Sequence, residues 1–266
     1  TPSLRAIAEA NPGAALTFLG HPNRAEVLRH LPYVSDVGHI TKTWAPLRGR
    51  FGGKRYAQAF VFGFDEALLA YALRVAKRVV AFRQKDDSLN KRLYRIAEAV
   101  DPMPMHAVDY LLTLTGAVHI NPSGHQLDYV VTADESRWAQ AQLTQVLRRP
   151  CHGLIGLQVA SFPTRAYRDW PIEHFIALTE RILKAMPDAH FLIFGGNEEK
   201  LRTERLARHL GLAATLYAGQ LTLRQTAALM NELDLYIGVD TGPTHIMGAL
   251  HRPMIALYHG HAPSRR

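Results

Sequence analysis

Three polar segments each follow a strongly apolar run in the second half of the chain, and they hold the residues best suited to bind an anion. In the first, the run LYIGVD (235–240) ends in Asp240. Thr241 and Gly242 come next and lead into a helical stretch that contains His245. The first amide N–H groups of a helix lack acceptors within the helix and lie at the positive end of its dipole, so such a turn favours phosphate. On these residues alone, a capped turn without a ligand is an equally good interpretation.

The other two segments carry polar and charged groups that suit a nucleotide. The segment SFPTRAYRDWPIEHF (161–175) offers the Thr164 hydroxyl and the Arg168 cation to a phosphate. The segment FLIFGGNEEKLR (191–202) offers a Gly-Gly turn and Glu199, an acid that can bond ribose hydroxyls. Their ordinary interpretations are a solvated basic loop and acids in a first helical turn. Because parallel strands end at one edge of a sheet, we expect all three segments to converge on one nucleoside-diphosphate site.

Strand-like and helical stretches alternate along the chain, which predicts an α/β protein with parallel sheets and flanking helices. The predicted strands cover residues 15–20, 37–40, 57–63, 78–82, 117–120, 154–160, 190–196, 214–219, 235–240 and 254–260. In the last five, the apolar residues are continuous rather than alternating, as a parallel strand covered on both faces requires. The strand–helix–strand spacing predicts right-handed crossovers and a doubly wound sheet.

Two helix starts are predicted from their first residues. The stretch PIEHFIALTERILKAM (171–186) places apolar side chains on one face, with Pro171 at the first helical position. Asp134 is the predicted N-cap of the helix that follows Ala133.

A polar joint with proline and glycine, RRPCHG (148–153), is the predicted domain boundary. It divides the chain into residues 1–149 and residues 150–266, which we expect to be two Rossmann-like domains. Two open α/β domains of this kind face a cleft at the carboxyl ends of their strands, where ligands bind.

Composition narrows the class of partner. The chain has 266 residues, 31 of them Lys or Arg and 23 Asp or Glu, for a formal net charge of +8 that favours a polyanionic partner. A nucleic-acid-binding module would need cations interleaved with exposed aromatics or a recognition helix, and neither is evident, so we expect no nucleic acid.

Cys151 is the single cysteine, which excludes an intrachain disulfide and fits a reducing, cytoplasmic setting. No run is long and apolar enough to span a bilayer.

A glycine-rich loop in the first half concentrates positive charge at Arg48, Arg50, Lys54 and Arg55. This loop suits an anionic glycolipid or the inner-leaflet surface of a membrane, and a merely solvated polar loop is the other open interpretation. His259 and the histidine two residues later have no evident third ligand, so no metal site is predicted.

Five segments, taken in order, resemble glycosyltransferase family 9, the bacterial lipopolysaccharide heptosyltransferases, over nearly the whole chain. DTGPTHIMGAL (240–250) resembles the D-[ST]-G-x-x-H-x-x-A-A signature, and DWPIEHFIAL (169–178) resembles the W-P-x-x-x-F/W segment. FGGNEE (194–199) resembles the G-G-x-x-E turn. TPSLRAIAEANPGAALTFL (1–19) and LPYVSDV (31–37) resemble the family's T-P-x-L and L-P-x-V-D-x-V stretches. The resemblance implies the GT-B fold, in which two Rossmann-like domains face a cleft.

The resemblance also implies donor-binding roles for eight residues. They are Thr164, Arg168, Glu199, Leu221, Asp240, Thr241, Gly242 and His245. The turn 241–245 would meet the donor pyrophosphate, and Asp240 would bond the sugar or fix that turn. Thr164 and Arg168 would supply a phosphate-binding hydroxyl and a cation. Glu199 would face the ribose, and Leu221 would line the base pocket.

This chain departs from the family pattern at several points. The family carries a Gly-Asp pair just before its T-P segment, and that Asp is its presumed general base, so the resemblance implies a chain truncated before Thr1 and at its carboxyl end. We therefore expect turnover to require upstream residues. Met247, Gly248 and Ala249 stand where the signature has Ala-Ala, and Ala262 replaces a threonine of a phosphate-proximal loop.

The predicted activity is an inverting glycosyl transfer from a nucleotide-diphosphate sugar, ADP-heptose by resemblance, to the inner core of lipopolysaccharide. Since no D-x-D triplet occurs, we expect no metal at the pyrophosphate, and no cofactor is implied. The expected location is the cytoplasm, with peripheral contact at the cytoplasmic face of the inner membrane. Three alternatives stay open: another nucleotide-sugar transferase, an epimerase on the same scaffold, and a catalytically silent nucleotide-binding relative.

Overall fold

A computed structural model describes residues 1–98, 105–147, 151–161 and 163–259. The described residues form two compact units, which divide between Asp128 and Tyr129. The units therefore divide upstream of the joint expected at 148–153, of which residues 148–150 lie outside the described part. No described helix has the length and apolarity that a bilayer span requires.

The first unit contains five short parallel strands and five helices within its described residues. Its strands are β1 (Thr17–Gly20), β2 (Asp36–His39), β3 (Tyr56–Val61), β4 (Ala76–Phe82) and β5 (Arg95–Ala97). Its helices are α1 (Pro2–Glu9), α2 (Pro22–Ala25), α3 (Glu66–Val75), α4 (Asp87–Asn90) and α5 (Ala107–Gly116).

These strands form two parallel sheets, one of β1 and β2 and one in the order β3-β4-β5. Four of the five strands predicted in this half are confirmed, but the strand predicted at 117–120 is wrong. That segment is a turn after α5, and His119 has a φ of 60°, which a strand does not allow. The strand that completes the second sheet is instead β5, which begins at the charged residue Arg95 and lacks a long apolar run.

The second unit also contains five strands and five helices within its described residues. Its helices are α6 (Ala133–Val146), α7 (Ile172–Ala185), α8 (Lys200–Leu210), α9 (Leu223–Asn231) and α10 (Gly242–Ala249). Its strands are β6 (Leu154–Gln158), β7 (His190–Phe194), β8 (Ala214–Leu216), β9 (Leu235–Val239) and β10 (Met254–Leu257).

One parallel sheet, in the order β10-β9-β6-β7-β8, forms the centre of this unit. Alternate strand residues face two cores. Leu154 and Phe194 pack with α6, α9 and α10 on one face, whereas Leu157 and Phe191 pack with α7 and α8 on the other. Burial on both faces explains the continuous apolar runs, and all five strands predicted here are confirmed. The predicted fold class, an α/β protein of parallel sheets with flanking helices, is confirmed.

The helix starts differ from the prediction by one or two residues. α6 begins after Thr132, whose side chain accepts from the Glu135 amide while the Glu135 carboxylate accepts from the Thr132 amide. This reciprocal capping displaces Asp134 into the first turn, so the N-cap prediction was wrong. Pro171 is the N-cap of α7 rather than its first helical residue.

α6 belongs to the second unit because a charged clamp attaches it to α9. Arg224 on α9 donates two hydrogen bonds to the Glu135 carboxylate, at 2.7 and 2.6 Å, and one to the Val130 carbonyl at 2.7 Å. Its guanidinium also lies 4.8 Å from the ring centre of Tyr129. Sequence periodicity placed this helix at the end of the first domain, because periodicity carries no information about which sheet a helix covers.

Candidate functional site

The three predicted segments leave the five-stranded sheet of the second unit at one edge and at nearly the same level. Gln158 is the last residue of the central strand β6, and it is in register with Phe194, the last residue of β7, and with Gly238 near the end of β9. Because all of these strands are parallel, the turns that begin at Ser161, Gly195 and Asp240 emerge on the same side.

The turn between β9 and α10 rests on a buried chain of hydroxyl groups. Thr244 donates to the Val239 carbonyl at 2.5 Å, and the Tyr236 hydroxyl lies 2.9 Å from the Thr244 hydroxyl. Thr244 and Tyr236 are both buried, and burial raises the pKa of Tyr236, so this phenol stays neutral. Thr241 is the N-cap, but its side chain makes no cap hydrogen bond. The buried network therefore fixes the backbone of the turn, while the Thr241 side chain stays partly exposed to solvent.

Open space lies over the first residue of α10. A Cβ atom built on Gly242 would have no described atom within 4 Å. The Gly242 and Thr244 amides belong to the first helical turn, where amide N–H groups lack acceptors within the helix, and Pro243 has no N–H to compete. This turn can therefore present amide donors and the positive end of the helix dipole to an anion.

Asp240 lies beside this turn, near His245 and Tyr258. The His245 Nε2 atom is 3.4 Å from the Asp240 Oδ1 atom, with the His245 side chain 58% exposed and that of Asp240 14% exposed. Burial and the nearby Asp240 charge raise the pKa of Tyr258, which follows β10. A carboxylate therefore lies next to the amide groups of the turn.

The segment after β6 forms a 3-10 turn over Pro163–Arg168. Thr164 is exposed on this turn, so its hydroxyl is accessible to a ligand. The Tyr167 ring meets the His259 ring edge-on at 5.9 Å between centroids. Since β9 lies between β6 and β10, this contact links the two loops that flank the Asp240 turn. The Arg168 backbone belongs to the 3-10 turn, and its side chain lies outside what the structure describes.

Glu199 holds the Gly-Gly turn after β7. Its carboxylate accepts a hydrogen bond from the Gly196 amide, and its side chain is buried. Burial raises the pKa of Glu199, and the Gly196 bond acts in the opposite direction. The structure thus gives this acid a backbone partner of its own, in addition to any role toward a ribose.

Leu221 lies next to the same turn. The Gly219 amide donates to the Gly195 carbonyl at 2.9 Å, which joins the segment after β8 to the segment after β7. Gly219 has a φ of 71°, and a Cβ there would lie 2.1 Å from the Asn197 Oδ1 atom, so only glycine fits. Leu221 is partly buried against the core that contains Phe194 and Tyr217. An apolar floor of this kind suits one face of a flat base.

The sequence analysis did not predict the polar residues that hold these turns in place through hydrogen bonds. Asp169 accepts from the Ser161 amide at 2.8 Å and from the Ser161 hydroxyl at 2.5 Å, and it also pairs with Arg202. Thr244 and Tyr236 are equally absent from the predicted set. A signal was available for Asp169, which directly precedes the Trp-Pro pair of a segment already singled out.

Two acids of the first unit, Asp128 and Asp109, lie in different surroundings. Asp128 is partly buried and accepts hydrogen bonds from Arg5 and from the Tyr33 hydroxyl, the latter at 2.6 Å. Burial and this Asp128 bond raise the pKa of Tyr33. Asp109 lies in the first turn of α5 with its side chain 46% exposed, and its Oδ1 atom is 3.0 Å from the His125 Nε2 atom. Across the described residues, no group of three or more His, Cys, Asp or Glu side chains is placed to hold a metal.

Each unit is an α/β assembly of parallel strands, and the second gathers its functional turns at one sheet edge, as nucleotide-binding folds do. The model of glycosyltransferase family 9 (heptosyltransferase) matches residues 63–266. The chain belongs to this family and is a glycosyltransferase.

Individual relatives agree with this assignment. The lipopolysaccharide core heptosyltransferase OpsX of Haemophilus influenzae is 21% identical over 97% of this chain and 74% of its own length. Among solved structures, the family 9 glycosyltransferase of Veillonella parvula has a TM-score of 0.82 at 17% identity, covering 96% of this chain and 75% of that one. The Escherichia coli heptosyltransferase WaaC, solved with ADP-2-deoxy-2-fluoro heptose, has a TM-score of 0.72 at 19% identity, covering 98% and 84%. The last two likenesses establish the shared fold.

Proposed function

We propose that this chain transfers a glycosyl group from a nucleoside-diphosphate sugar, specifically ADP-heptose, to the inner core of lipopolysaccharide, with inversion and without a metal. The observation that carries the proposal is the turn between β9 and α10, where Asp240, the Thr241 hydroxyl and the open amide groups at Gly242 lie together. Two relatives support the acceptor class and the donor: OpsX is a lipopolysaccharide core heptosyltransferase, and WaaC has been solved with ADP-2-deoxy-2-fluoro heptose.

In an inverting transfer, an acceptor hydroxyl gives its proton to a general base and attacks the anomeric carbon from the side opposite the departing nucleoside diphosphate, whose bond to that carbon breaks. The departing diphosphate gains negative charge, so the site must supply donors and positive charge there. Under the proposal, the α10 amides, the Thr164 hydroxyl and the Arg168 guanidinium meet that charge. Asp240 bonds the sugar or fixes the turn, with His245 beside it. Protein donors then perform the role that a divalent cation plays in other glycosyl transfers, so activity should survive chelation of metal.

Recognition of the nucleoside falls to the neighbouring turns under the proposal. Glu199 lies at the Gly-Gly turn, where the ribose hydroxyls would meet it, and Leu221 offers its apolar side chain to the base. The second unit would thus bind the donor, and the first unit would bind the acceptor. The proposed location is the cytoplasm, with peripheral contact at the inner membrane surface.

Titration calorimetry with ADP-linked and UDP-linked sugars tests the donor. We expect the ADP-linked sugar to bind more tightly, and Arg168→Gln to weaken that binding by at least about tenfold because a charge-assisted phosphate contact is lost. Arg181→Gln, which removes an exposed cation from α7, is the matched control and should leave the affinity unchanged. Preference for the UDP-linked sugar would contradict ADP-heptose as the donor, and loss of donor binding upon addition of EDTA would contradict a metal-free site.

A further inference from the structure

Three large apolar side chains project from a short turn of the first unit. Trp44 is 63% exposed, Leu47 is 57% exposed and Phe51 is 88% exposed, and all three fall within residues 44–51. We call residues 41–55 the basic turn. Scattered single apolar residues are ordinary on a protein surface, but three this large within so short a segment are unusual and suggest an interaction site.

The exposure follows from the way the backbone of the basic turn is held. The Ala45 and Arg48 amides donate to the Thr41 and Trp44 carbonyls at 2.9 and 3.2 Å, which coils the segment. Its inner side is occupied by Ala45, which is fully buried, and by Arg74, whose guanidinium donates to the Ala45 carbonyl at 2.5 Å and to the Arg48 carbonyl at 3.2 Å. Because the inner side is filled, the three apolar side chains are directed outward.

The same turn carries positive charge without compensation. Its cations are Lys42, Arg48, Arg50, Lys54 and Arg55, and no acidic residue occurs from Thr41 to Phe64. All five side chains belong to exposed residues, and none forms an ion pair with a carboxylate of the described residues. The bonds that are present go to backbone carbonyls, such as Arg50 to Pro46 at 2.9 Å and Lys54 to Ala76 at 2.8 Å. Bonds to backbone carbonyls therefore hold cations such as Arg50 and Lys54 in place, and their positive charge is not balanced by a carboxylate of the described residues.

The geometry points to the basic turn as a wedge that docks on an anionic lipid bilayer, with Trp44, Leu47 and Phe51 entering the interface and the surrounding cations lying among the phosphates. A lipid interface has an apolar layer directly beneath a layer of negative charge. The apolar side chains of the basic turn suit the first layer, and its cations suit the second. A soluble anion would engage the cations and leave the three apolar side chains in water. This inference deepens the membrane contact of the proposed function by naming its surface, and it uses no residue of the donor site.

Co-sedimentation with vesicles tests the docking. We expect the chain to bind vesicles that contain phosphatidylglycerol and to bind pure phosphatidylcholine vesicles far more weakly. The triple variant Trp44→Ser, Leu47→Ser, Phe51→Ser should lose at least about tenfold in binding, since each side chain no longer leaves water. The double variant Leu201→Ser, Leu212→Ser removes two equally exposed apolar side chains from the second unit, 83% and 74% exposed, and should bind as the unchanged chain does.

Charge is tested separately by Lys42→Gln and Arg50→Gln, each expected to reduce vesicle binding roughly fivefold at low salt. Phe51→Ser alone serves if the triple variant fails to fold, because an 88% exposed side chain contributes little to the core. Unchanged vesicle binding in the apolar variants, or equal binding to both vesicle types, would overturn the inference. Calorimetry with the ADP-linked sugar on the same variants separates the outcomes: vesicle binding without donor binding refutes the proposed function and leaves the wedge intact.

Discussion

Asp169 accepts a hydrogen bond from Arg202 at 2.5 Å and thereby joins the turn after β6 to helix α8, which follows the Gly-Gly turn. The carboxylate is 4% exposed and the guanidinium 37% exposed, so the pair lies at the boundary of the core. The other Asp169 oxygen holds the amide and hydroxyl of Ser161. One buried carboxylate thus fixes two of the three turns that form the candidate donor site.

Replacing Asp169 with asparagine should loosen both turns at once. An amide cannot pair with Arg202 as an ion or accept both Ser161 bonds with the same strength. We expect Asp169→Asn to lower the free energy of unfolding by about 2 kcal/mol, less than for a fully buried pair because Arg202 is partly exposed. Denaturant unfolding measures this loss, and donor affinity measured by calorimetry should fall as well.

Glu173→Gln is the matched control, since Glu173 pairs with Arg205 at 2.6 Å on the surface between α7 and α8. Both of these side chains are more than half exposed, so the variant should change stability by less than about 1 kcal/mol. Equal losses in the two variants would mean that Asp169 does not hold the turns.

Two threonines of the β9–α10 turn should separate structural from ligand-binding roles. Thr244 is buried and its hydroxyl bridges Tyr236 and the Val239 carbonyl, whereas Thr241 is partly exposed above it. We expect Thr244→Val to lower the free energy of unfolding by about 1–3 kcal/mol, because buried polar atoms lose their partner. Thr241→Val should change stability little and weaken donor binding. The two variants are compared by thermal unfolding and by calorimetry, and the reverse pattern would contradict the assignment.

The Glu135–Arg224 clamp between α6 and α9 should make stability depend on acid. Burial alone would raise the pKa of Glu135, but hydrogen bonds from Arg224 and Thr132 outweigh it and bring the pKa to about 2. Because the folded pKa lies below the ordinary glutamate value, this stabilisation is present above about pH 4.5 and is lost as the pH falls toward 2.

Arg224→Met should therefore destabilise the chain by about 2 kcal/mol at pH 7, and the difference from the unchanged chain should shrink below about pH 4.5. Denaturant unfolding at pH 7, 5 and 3 measures it. Arg137→Met, which removes an exposed partner of Asp134 on the same helix, provides the comparison and should have no measurable effect at any pH. A difference that stays constant with pH would exclude the clamp as its source.

Much of the second unit could be predicted from its sequence, because five strands buried on both faces produce continuous apolar runs that leave little choice of structure. The same periodicity failed at residues 117–120, where an apolar tetrapeptide after α5 is a turn with His119 at positive φ. Periodicity also did not predict β5. This short strand forms because it pairs with Val80 and Phe82 of β4, and its own residues carry little strand signal. Local pattern predicts an element well only where the element buries its own apolar face.

In the candidate site, too, some residues could be predicted from the local sequence and others could not. Residues at the tips of the turns, such as Asp240 and Thr241, could be predicted because they follow strands directly. The role of Asp169 in holding two of those turns could not be predicted, because its partner Arg202 is distant in sequence. The donor-binding roles of the predicted residues stay predictions, and the variants above test them.

Glu199 should make the Gly-Gly turn sensitive to pH in the direction opposite to the Glu135 clamp. Burial raises the pKa of Glu199 above its ordinary value near 4.5, although the Gly196 amide bond favours the charged form. The stability that the neutral form contributes is complete below about pH 4.5 and is lost as the pH rises through the folded pKa.

Glutamine keeps an oxygen for the Gly196 amide and carries no charge to bury. Glu199→Gln should therefore match the unchanged chain near pH 4 and become relatively more stable toward pH 7, as measured by denaturant unfolding. Glu9→Gln, at an exposed residue of α1, should show no such trend. A relative loss of stability at pH 7 would mean that the charged carboxylate is the form that holds the turn.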